Sequence, residues 1–430
     1  MDRLRSKRRP TPEAAPAAIE RTLQTSVDDW LRLLAGSGGD VGTLLAQSAE
    51  EQGRRGHLHT LREIMQQPYT WVETARNLAP RAGELSAALD HVRAEGRPGF
   101  IALTGSGSSL YAGECLAPGL QRALGIPVQG VPSGELLTDP PGRLPRTAAS
   151  LVVSFARSGN SPESVAVLDG LRGDASCRHL VITCNRHGEL AARGSGDPDV
   201  TTVVLDDKTC DRSLVMTSSF TNMVLAGRLL ALTDDPKAYE ARALRLAGLA
   251  AQILLRQGDA LAAAARSAFR SAVYLGSGGR YGAAREAALK MLEMTSGRVM
   301  TFPETYLGLR HGPMCAVDEE ALVVCFLSSD EVVRAYEADL VRELNRKGLG
   351  ARKVLVGSEV PPDLASAGDL VVDVPGLDAV DDDDAPLLDV LVGQTLAFFR
   401  CMATGLRPDS PSDDGVISRV VESFAIHRRT

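Results

Sequence analysis

The chain has 430 residues, which is too long for one ordinary domain and predicts two or three. Hydrophobic residues make up 44% and charged residues 23%, as in globular proteins, so wholesale disorder is excluded. The formal net charge of −7 provides no overall positive field for nucleic acid or an anionic membrane, and neither partner is expected.

Residues 1–56 are rich in Ala, Arg, Gly, Glu and Pro and predict a loosely attached, flexible extension, with one short amphipathic helix in VDDWLRLLA at 27–35. The basic start lacks the apolar stretch of a secretory signal, and we find no apolar run of about 18 residues, so we expect a cytoplasmic protein. Residues 57–95 carry apolar side chains at helical intervals and predict a helical lead-in.

Short apolar runs then alternate with helix-like sequence. They read FIALTGSGSS at 100–109, LVVSFARSGNS at 151–161 and HLVITCN at 179–185. Nearly continuous apolar strands between helices are typical of a parallel sheet covered on both faces. The sequence therefore predicts the α/β class.

The chain also resembles itself at an offset of 171 residues. LTGSG at 103–107 aligns with YLGSG at 274–278 and is identical to it in the last three positions, and LVVSFARS at 151–158 aligns with LVVCFLSS at 322–329. Two matches at one offset predict two tandem copies of one α/β domain. We place them at 96–235 and 269–400, with a helical connector at 236–268 and a C-terminal tail at 401–430 that closes the site.

Serine-rich loops follow two of the predicted strands, where the carboxyl ends of parallel strands bind ligands. Glycines, hydroxyls and helix N-termini in such loops suit a phosphate group, although a plain tight turn or capping box is the alternative. A nucleotide site is disfavoured because Leu110 replaces the third glycine of that motif. The candidates are Ser108 and Ser109, then Ser158, Asn160 and Ser161, and in a third segment Thr217 and Ser218.

The helix-like segment AAREAALKMLEM at 283–294 opens the second copy. Its Glu286, Lys290 and Glu293 lie at positions i, i+4 and i+7 and share one face. A salt-bridged solvent stripe is the simple interpretation, but the surrounding Ala, Leu and Met favour a buried, functional set. His311, in the loop LRHGPM at 309–314, can transfer protons at neutral pH if a sugar is held beside it.

Neither the cysteines nor the acidic run 381–384 indicates a metal site, and no cofactor is expected. Seven cysteines stand singly, without the spacing of a metal site, and are expected to be reduced and mostly buried. The acidic run 381–384 is expected to be a solvated loop, because consecutive carboxylates repel and lack calcium-loop spacing.

Taken together, these motifs resemble the tandem sugar isomerase (SIS) domain proteins. The matching segments are EIMQQPYTW, GSGSS, RSGNSPES, AREAALKMLE, RHGP and the tail PDSPSDDGVISRVVESFAIH. The chain is most similar to the tagatose-6-phosphate ketose/aldose isomerase family, also described as galactosamine-6-phosphate deaminase/isomerase. More distantly it resembles the isomerase half of glucosamine-6-phosphate synthase. The resemblance covers about residues 58–430 and implies two flavodoxin-like domains.

The resemblance also implies roles for particular residues. Ser109, Ser158 and Ser161 would bind phosphate, and Glu293 would be the acid/base group. Glu286 and Lys290 would support it, and His311 would open the sugar ring, reaching the site of a neighbouring subunit in a homodimer or higher homo-oligomer. The synthase has an imine-forming lysine near the position of Arg419, and a guanidinium cannot form that imine.

The implied reaction converts a hexosamine 6-phosphate, with the galacto epimer favoured, into a ketose 6-phosphate and ammonia without metal or cofactor. Two alternatives stay open: a plain aldose–ketose isomerase, and a non-catalytic sugar-phosphate sensor, for which residues 1–56 offer no convincing helix-turn-helix. The epimer and the role of His427 also stay open. Glu304 and Tyr306, in an FPETYLGL stretch unlike the family, are candidate substrate-facing residues.

Overall fold

The computed structural model describes residues 15–412 and 415–427. Helices occupy most of residues 15–93, before the first strand. They are α1 (Ala15–Leu23), α2 (Val27–Gly36), α3 (Gly39–Leu45), α4 (Ala49–Arg55), α5 (Leu58–Met65), α6 (Gln67–Leu78) and α7 (Ala82–Arg93).

The first of these helices are packed against the body of the protein, which corrects the prediction of a loosely attached extension for residues 15–56. Trp30 and Leu34 of α2 are fully buried. The indole Nε1 of Trp30 donates a hydrogen bond of 2.7 Å to the carbonyl oxygen of Met65 in α5. The composition misled because the few apolar residues of this segment share one face of each helix. Residues 1–14 of the predicted extension lie outside the described residues.

Replacing Trp30 by phenylalanine is expected to destabilise the protein by about 2 kcal/mol, because the buried carbonyl of Met65 loses its donor while most apolar contact is kept. Urea unfolding of the full chain measures the change. A matched replacement of Val332, which is 67% exposed, by alanine should leave the free energy of unfolding nearly unchanged. An equally small change in both variants would mean that the hydrogen bond from Trp30 to Met65 does not contribute to stability.

The first sheet is parallel throughout and has the strand order β2-β1-β3-β4-β5. Its strands are β1 (Gly99–Gly105), β2 (Val128–Pro132), β3 (Ala149–Ala156), β4 (Cys177–Thr183) and β5 (Val200–Val204). Its helices are α8 (Ser108–Leu124), α9 (Ser133–Thr138), α10 (Pro140–Arg143), α11 (Pro162–Leu171), α12 (Glu189–Gly194) and α13 (Ser218–Arg228). All eight residues of β3 are buried, as a strand covered on both faces requires.

Helix α14 (Pro236–Arg266) leads to a second parallel sheet of order β7-β6-β8-β9-β10. The strands are β6 (Ser271–Leu275), β7 (Met300–Glu304), β8 (Ala321–Phe326), β9 (Arg352–Gly357) and β10 (Leu370–Asp373). The helices are α15 (Gly279–Met294), α16 (Tyr306–Leu309), α17 (Glu331–Lys347) and α18 (Pro386–Ala403). The two sheets have the same strand order, which confirms the predicted α/β class with two tandem parallel sheets.

Positions 171 residues apart have matching roles in the two sheets. Gly107 and Gly278 precede α8 and α15 with nearly the same backbone angles, φ 55° and ψ −127° against φ 56° and ψ −131°. The two helices pack on each other, and Glu114 of α8 forms an ion pair with Arg285 of α15, its counterpart at that offset. Residues that contact their own counterparts indicate a pseudo-two-fold relation between the sheets.

Helix α18 is the one helix in the described ranges that is long and apolar enough to span a membrane. In this protein 83% of it is buried, and it packs against α14 and α15. Its Asp389 forms a fully buried ion pair with Arg280 at 2.7 Å. Helix α18 is therefore a core helix here.

Candidate functional site

A cavity of about 520 Å³ lies at the carboxyl ends of β1 and β3. The N-termini of α8 and α11 face it from the first sheet, the last turns of α15 form another wall, and the segment 415–422 covers it. The lining includes Ser106, Gly107, Ser108, Ser109, Arg157, Ser158, Ser161, Glu163, Lys290, Glu293, Arg419 and Glu422. Both domains and the C-terminal tail thus meet at one site.

The two serine loops meet at this cavity. Ser108 and Ser109 begin α8, and the positive φ of Gly107 turns the chain into that helix. Ser158 follows β3, and Ser161 is the residue before α11, with Pro162 in the first helical position. Hydroxyls and two helix N-termini therefore converge on one space, an arrangement suited to an anion.

Three predicted phosphate contacts are engaged elsewhere. The side chain of Asn160 is exposed, and its Oδ1 accepts a hydrogen bond of 2.9 Å from the Glu189 backbone at α12. Thr217 and Ser218 are fully buried, and the carboxylate of Asp211 accepts their backbone N–H groups at 2.7 and 3.0 Å. None of these residues is in the cavity lining: Asn160 caps a helix, and the other two hold Asp211.

The three charged residues of α15 share a face, and Lys290 is at its centre. Its Nζ lies 2.5 Å from Oε2 of Glu293, 3.3 Å from Oε1 of Glu286 and 3.0 Å from Oγ of Ser108. The side chains of Glu286 and Lys290 are buried, whereas that of Glu293 is 24% exposed and lines the cavity. The interpretation as a salt-bridged solvent stripe is therefore wrong.

Burial and charge act in opposite directions on this cluster. Burial raises the pKa of Glu286 to about 7, although the charge of Lys290 opposes the rise. Burial by itself would lower the pKa of Lys290, but Glu286 and Glu293 raise it above its ordinary value. Lys290 is therefore a permanent cation near neutral pH, while Glu286 titrates there.

Glu286 is expected to make stability depend on pH. Its pKa of about 7 is above its ordinary value of 4.5, so its contribution is complete below that ordinary value and is lost as the pH rises through 7. Between about pH 5 and pH 8, the wild type should therefore lose free energy of unfolding relative to a Glu286→Gln variant. Urea unfolding of both proteins across that range tests this, and parallel curves would contradict it.

His311 lies away from the cavity of its own chain. It follows α16 in an exposed turn, where its backbone N–H donates to the carbonyl of Gly308 at 2.9 Å. Two further candidates are also remote from the cavity lining. Tyr306 is buried and donates to the Phe326 carbonyl at 3.0 Å, and Glu304 accepts from the Thr305 backbone at 2.7 Å. The buried Tyr306 is structural here, which corrects its interpretation as substrate-facing, and the half-buried Glu304 is not in the cavity lining.

Arg157, the most buried cation of the first domain's site, is not among the residues predicted from the sequence. Its side chain is 7% exposed, lines the cavity and donates to the Leu214 carbonyl at 2.9 Å. The sequence ARSGNS places Arg157 directly before Ser158, so its position in a predicted phosphate loop could have identified it as a candidate. Another missed residue, Ser106, donates to Glu163 at 2.7 Å and thereby links the two serine loops.

The corresponding edge of the second sheet is filled by the chain's own carboxylates. Asp382 accepts hydrogen bonds from the Oγ of Ser328 and, at 3.0 Å, from the backbone of Ser329, the counterpart of Ser158 at an offset of 171. Asp384 is buried and pairs with Arg228 at 2.7 Å. The acidic run is therefore largely ion-paired, and its prediction as a solvated loop is wrong.

Within the described ranges, no group of three or more His, Cys, Asp or Glu side chains is arranged to hold a metal ion. The cysteines there are free thiols, and Cys315 is the exposed one.

No family model matches the chain. An AgaS protein of Streptomyces coelicolor is 40% identical over 86% of this chain and 95% of its own length. The D-galactosamine-6-phosphate deaminase AgaS of Escherichia coli O157:H7 is 35% identical over the same shares. The crystal structure of tagatose-6-phosphate ketose/aldose isomerase from Escherichia coli superposes with a TM-score of 0.77 at 32% identity, covering 86% of this chain and 96% of that one.

The more distant resemblance is confirmed as well. A glutamine–fructose-6-phosphate aminotransferase of Pyrobaculum aerophilum is 28% identical over 85% of this chain and 58% of its own length. The similarity to the two AgaS proteins extends over nearly their whole length, at an identity that shows common family membership. The chain therefore belongs to the AgaS family of tandem SIS-domain enzymes, whose members are named galactosamine-6-phosphate deaminases and tagatose-6-phosphate ketose/aldose isomerases.

Proposed function

We propose that this protein is an amino-sugar-phosphate deaminase/isomerase. It converts a hexosamine 6-phosphate, with galactosamine 6-phosphate favoured, into the ketose 6-phosphate and ammonia. The main supporting observation is that the partly exposed carboxylate of Glu293, bound to Lys290, shares one cavity with Ser109, Ser158 and Ser161. A proton-transfer group and an anion subsite thus lie within reach of one sugar phosphate.

The serine loops supply the phosphate subsite in this proposal. Hydroxyls of Ser109, Ser158 and Ser161 line the cavity together with the N-termini of α8 and α11. Helix N-termini stabilise a dianion through free N–H groups and the helix dipole. Arg157 and Lys290 add positive charge on either side, so the overall charge of the chain does not oppose binding.

Glu293 carries out the proton transfers on the open-chain aldose. Its carboxylate removes the C2 proton, and the enolised intermediate receives a proton at C1, which leaves a ketimine at C2. Water adds to C2, and the nitrogen leaves as ammonia, so one water is consumed and no electrons are exchanged with a cofactor. Lys290 stabilises the negative charge that develops on the C1 oxygen, and Glu286 fixes Lys290 in place.

Ring opening requires a proton shuttle at the C1 hydroxyl and the ring oxygen. We propose that His311 provides it from a second copy of the chain in a homodimer, because this exposed residue is remote from its own cavity. Sedimentation of the purified protein would detect that dimer. We also propose that the enzyme works in the cytoplasm, because phosphorylated sugars are retained there.

A second candidate function is aldose–ketose isomerisation without loss of nitrogen. The Escherichia coli structure named tagatose-6-phosphate ketose/aldose isomerase supports it, since the same proton transfers serve a substrate with a C2 hydroxyl. Pure sensing is disfavoured, because phosphate binding does not need the Glu286–Lys290–Glu293 cluster.

The deciding experiment measures ammonia release from galactosamine 6-phosphate and glucosamine 6-phosphate. Ammonia from the first, with the tagatose-type ketose phosphate as coproduct, is the expected result, whereas ammonia with the fructose-type ketose phosphate would show that the second is the substrate. Ketose formed only from an unaminated aldose 6-phosphate would establish the isomerase instead. Tight binding without turnover of any sugar phosphate would reject both enzymes in favour of a sensor.

A further inference from the structure

The segment 415–422, named the tail strap here, forms part of the lining of the cavity. Apolar side chains in and beside it are exposed: Val416 by 78%, Val421 by 55% and Phe424 by 53%. Apolar burial therefore contributes little to holding the strap on the protein. Its position depends on polar contacts.

Those contacts converge on Arg419. Its backbone carbonyl accepts a hydrogen bond of 2.5 Å from Nη2 of Arg157. Its side chain donates from Nε at 2.9 Å and from Nη2 at 2.5 Å to the backbone carbonyl of Asp211. One residue of the strap is thus bound to the body of the protein through both its main chain and its side chain.

Both anchors are fixed independently of the strap. Arg157 is 7% exposed and also donates to the Leu214 carbonyl at 2.9 Å. Asp211 is fully buried, and its carboxylate accepts three backbone N–H groups at the start of α13, at 2.7 to 3.0 Å. A rigid base therefore holds a segment whose apolar side chains are exposed, which is the arrangement of a latch.

We propose that Arg419 is a positioning residue that latches the tail strap over bound sugar phosphate. Closure retains the substrate and the enolised intermediate between the proton transfers at Glu293. Because its guanidinium is bound to the Asp211 carbonyl, Arg419 acts through the strap and takes no part in the chemistry. The identity of the retained ligand rests on the proposed function, whereas the latch is defined by contacts within the chain.

The latch can be tested without turnover, by cleavage after Glu422 with a glutamate-specific protease. Cleavage requires neighbouring strap residues to leave the surface, so its rate follows the population of the open strap. Arg419→Ala removes the side-chain bonds to the Asp211 carbonyl and the longer contact with Sγ of Cys210, and it is expected to be cleaved about tenfold faster than the wild type. Arg419→Lys, which keeps one donor, should fall between them. Arg342→Ala, which removes a surface ion pair of α17, is the matched control with wild-type cleavage.

Turnover provides a second readout. In the ammonia assay, Arg419→Ala should raise KM about tenfold and keep kcat within about threefold, since the strap retains ligand and leaves Glu293 in place. Wild-type cleavage of Arg419→Ala, or a loss of kcat at unchanged KM, would overturn the latch. A wild type that is silent on every sugar phosphate would reject the proposed function, and the cleavage rates would still decide the latch. Arg419→Ala should unfold at the same temperature as the wild type, because Arg419 is exposed, and this control would show that the residue is dispensable for folding.

Discussion

Replacing Glu293 by glutamine should reduce kcat for ammonia release by about 10³-fold, while the binding of sugar phosphate and the fold are kept. Glutamine has nearly the same shape, and its amide oxygen can still accept from Nζ of Lys290, which lies 2.5 Å from the native carboxylate. The amide cannot take the C2 proton, however. The phosphate subsite at the serine loops is untouched, so calorimetric binding should be unchanged.

The matched control is Glu331→Gln, an exposed glutamate in the first turn of α17. It makes the same chemical change far from the cavity and should keep wild-type kcat. A Glu293→Gln variant with more than about a tenth of wild-type kcat would show that another group removes the proton. Loss of binding in that variant would instead mean that the Glu293 carboxylate holds the sugar itself, as an acceptor for its hydroxyl or amino groups.

Local sequence patterns predicted the central part of this site. Helical spacing sets which side chains share a face, so Glu286, Lys290 and Glu293 could be grouped from their spacing alone. The serine loops were equally accessible, because the carboxyl end of a parallel strand and the following helix N-terminus are both visible in sequence. These inferences need only short-range geometry.

Contacts between distant parts of the chain could not be predicted in this way. Arg157 and Arg419 are 262 residues apart, and nothing in either segment specifies the other. Thr217 and Ser218 show the converse error. They carry hydroxyls at a helix start, yet the buried carboxylate of Asp211 engages them. Whether a polar group is free for a ligand depends on the tertiary partners of that group.

The prediction of a solvated loop for the acidic run 381–384 was wrong for a related reason. Four consecutive aspartates are unstable together unless cations neutralise them, and Arg228, Arg242 and Arg280 reach them from helices far away in sequence. These ion pairs fill the edge of the second sheet that corresponds to the cavity edge of the first. The tandem copies have therefore diverged: one edge holds the cavity, and the other is part of the scaffold.

Replacing Lys290 by methionine should abolish most activity and also destabilise the fold. The ammonium group of Lys290 lies between two carboxylates, and Glu286 is fully buried. Removing Lys290 therefore leaves the charge of Glu286 uncompensated. Loss of a buried partner costs about 3 kcal/mol at pH 8, where Glu286 of the wild type is mainly ionised and the variant must keep that charge unpaired or take up a proton. The cost is smaller at pH 6, where the carboxyl of the wild type already holds its proton. Without the cation at the developing oxyanion, kcat should fall about 10²-fold.

A double variant separates the two effects. Lys290→Met combined with Glu286→Gln removes the uncompensated buried charge and should recover most of the lost free energy of unfolding, but none of the lost kcat. Urea unfolding and ammonia release, measured on the single and double variants at both pH values, give the comparison. Recovery of kcat in the double variant would mean that Lys290 serves only to neutralise Glu286. Failure to recover stability would mean that Lys290 stabilises the fold chiefly through Glu293 and Ser108, its other two partners.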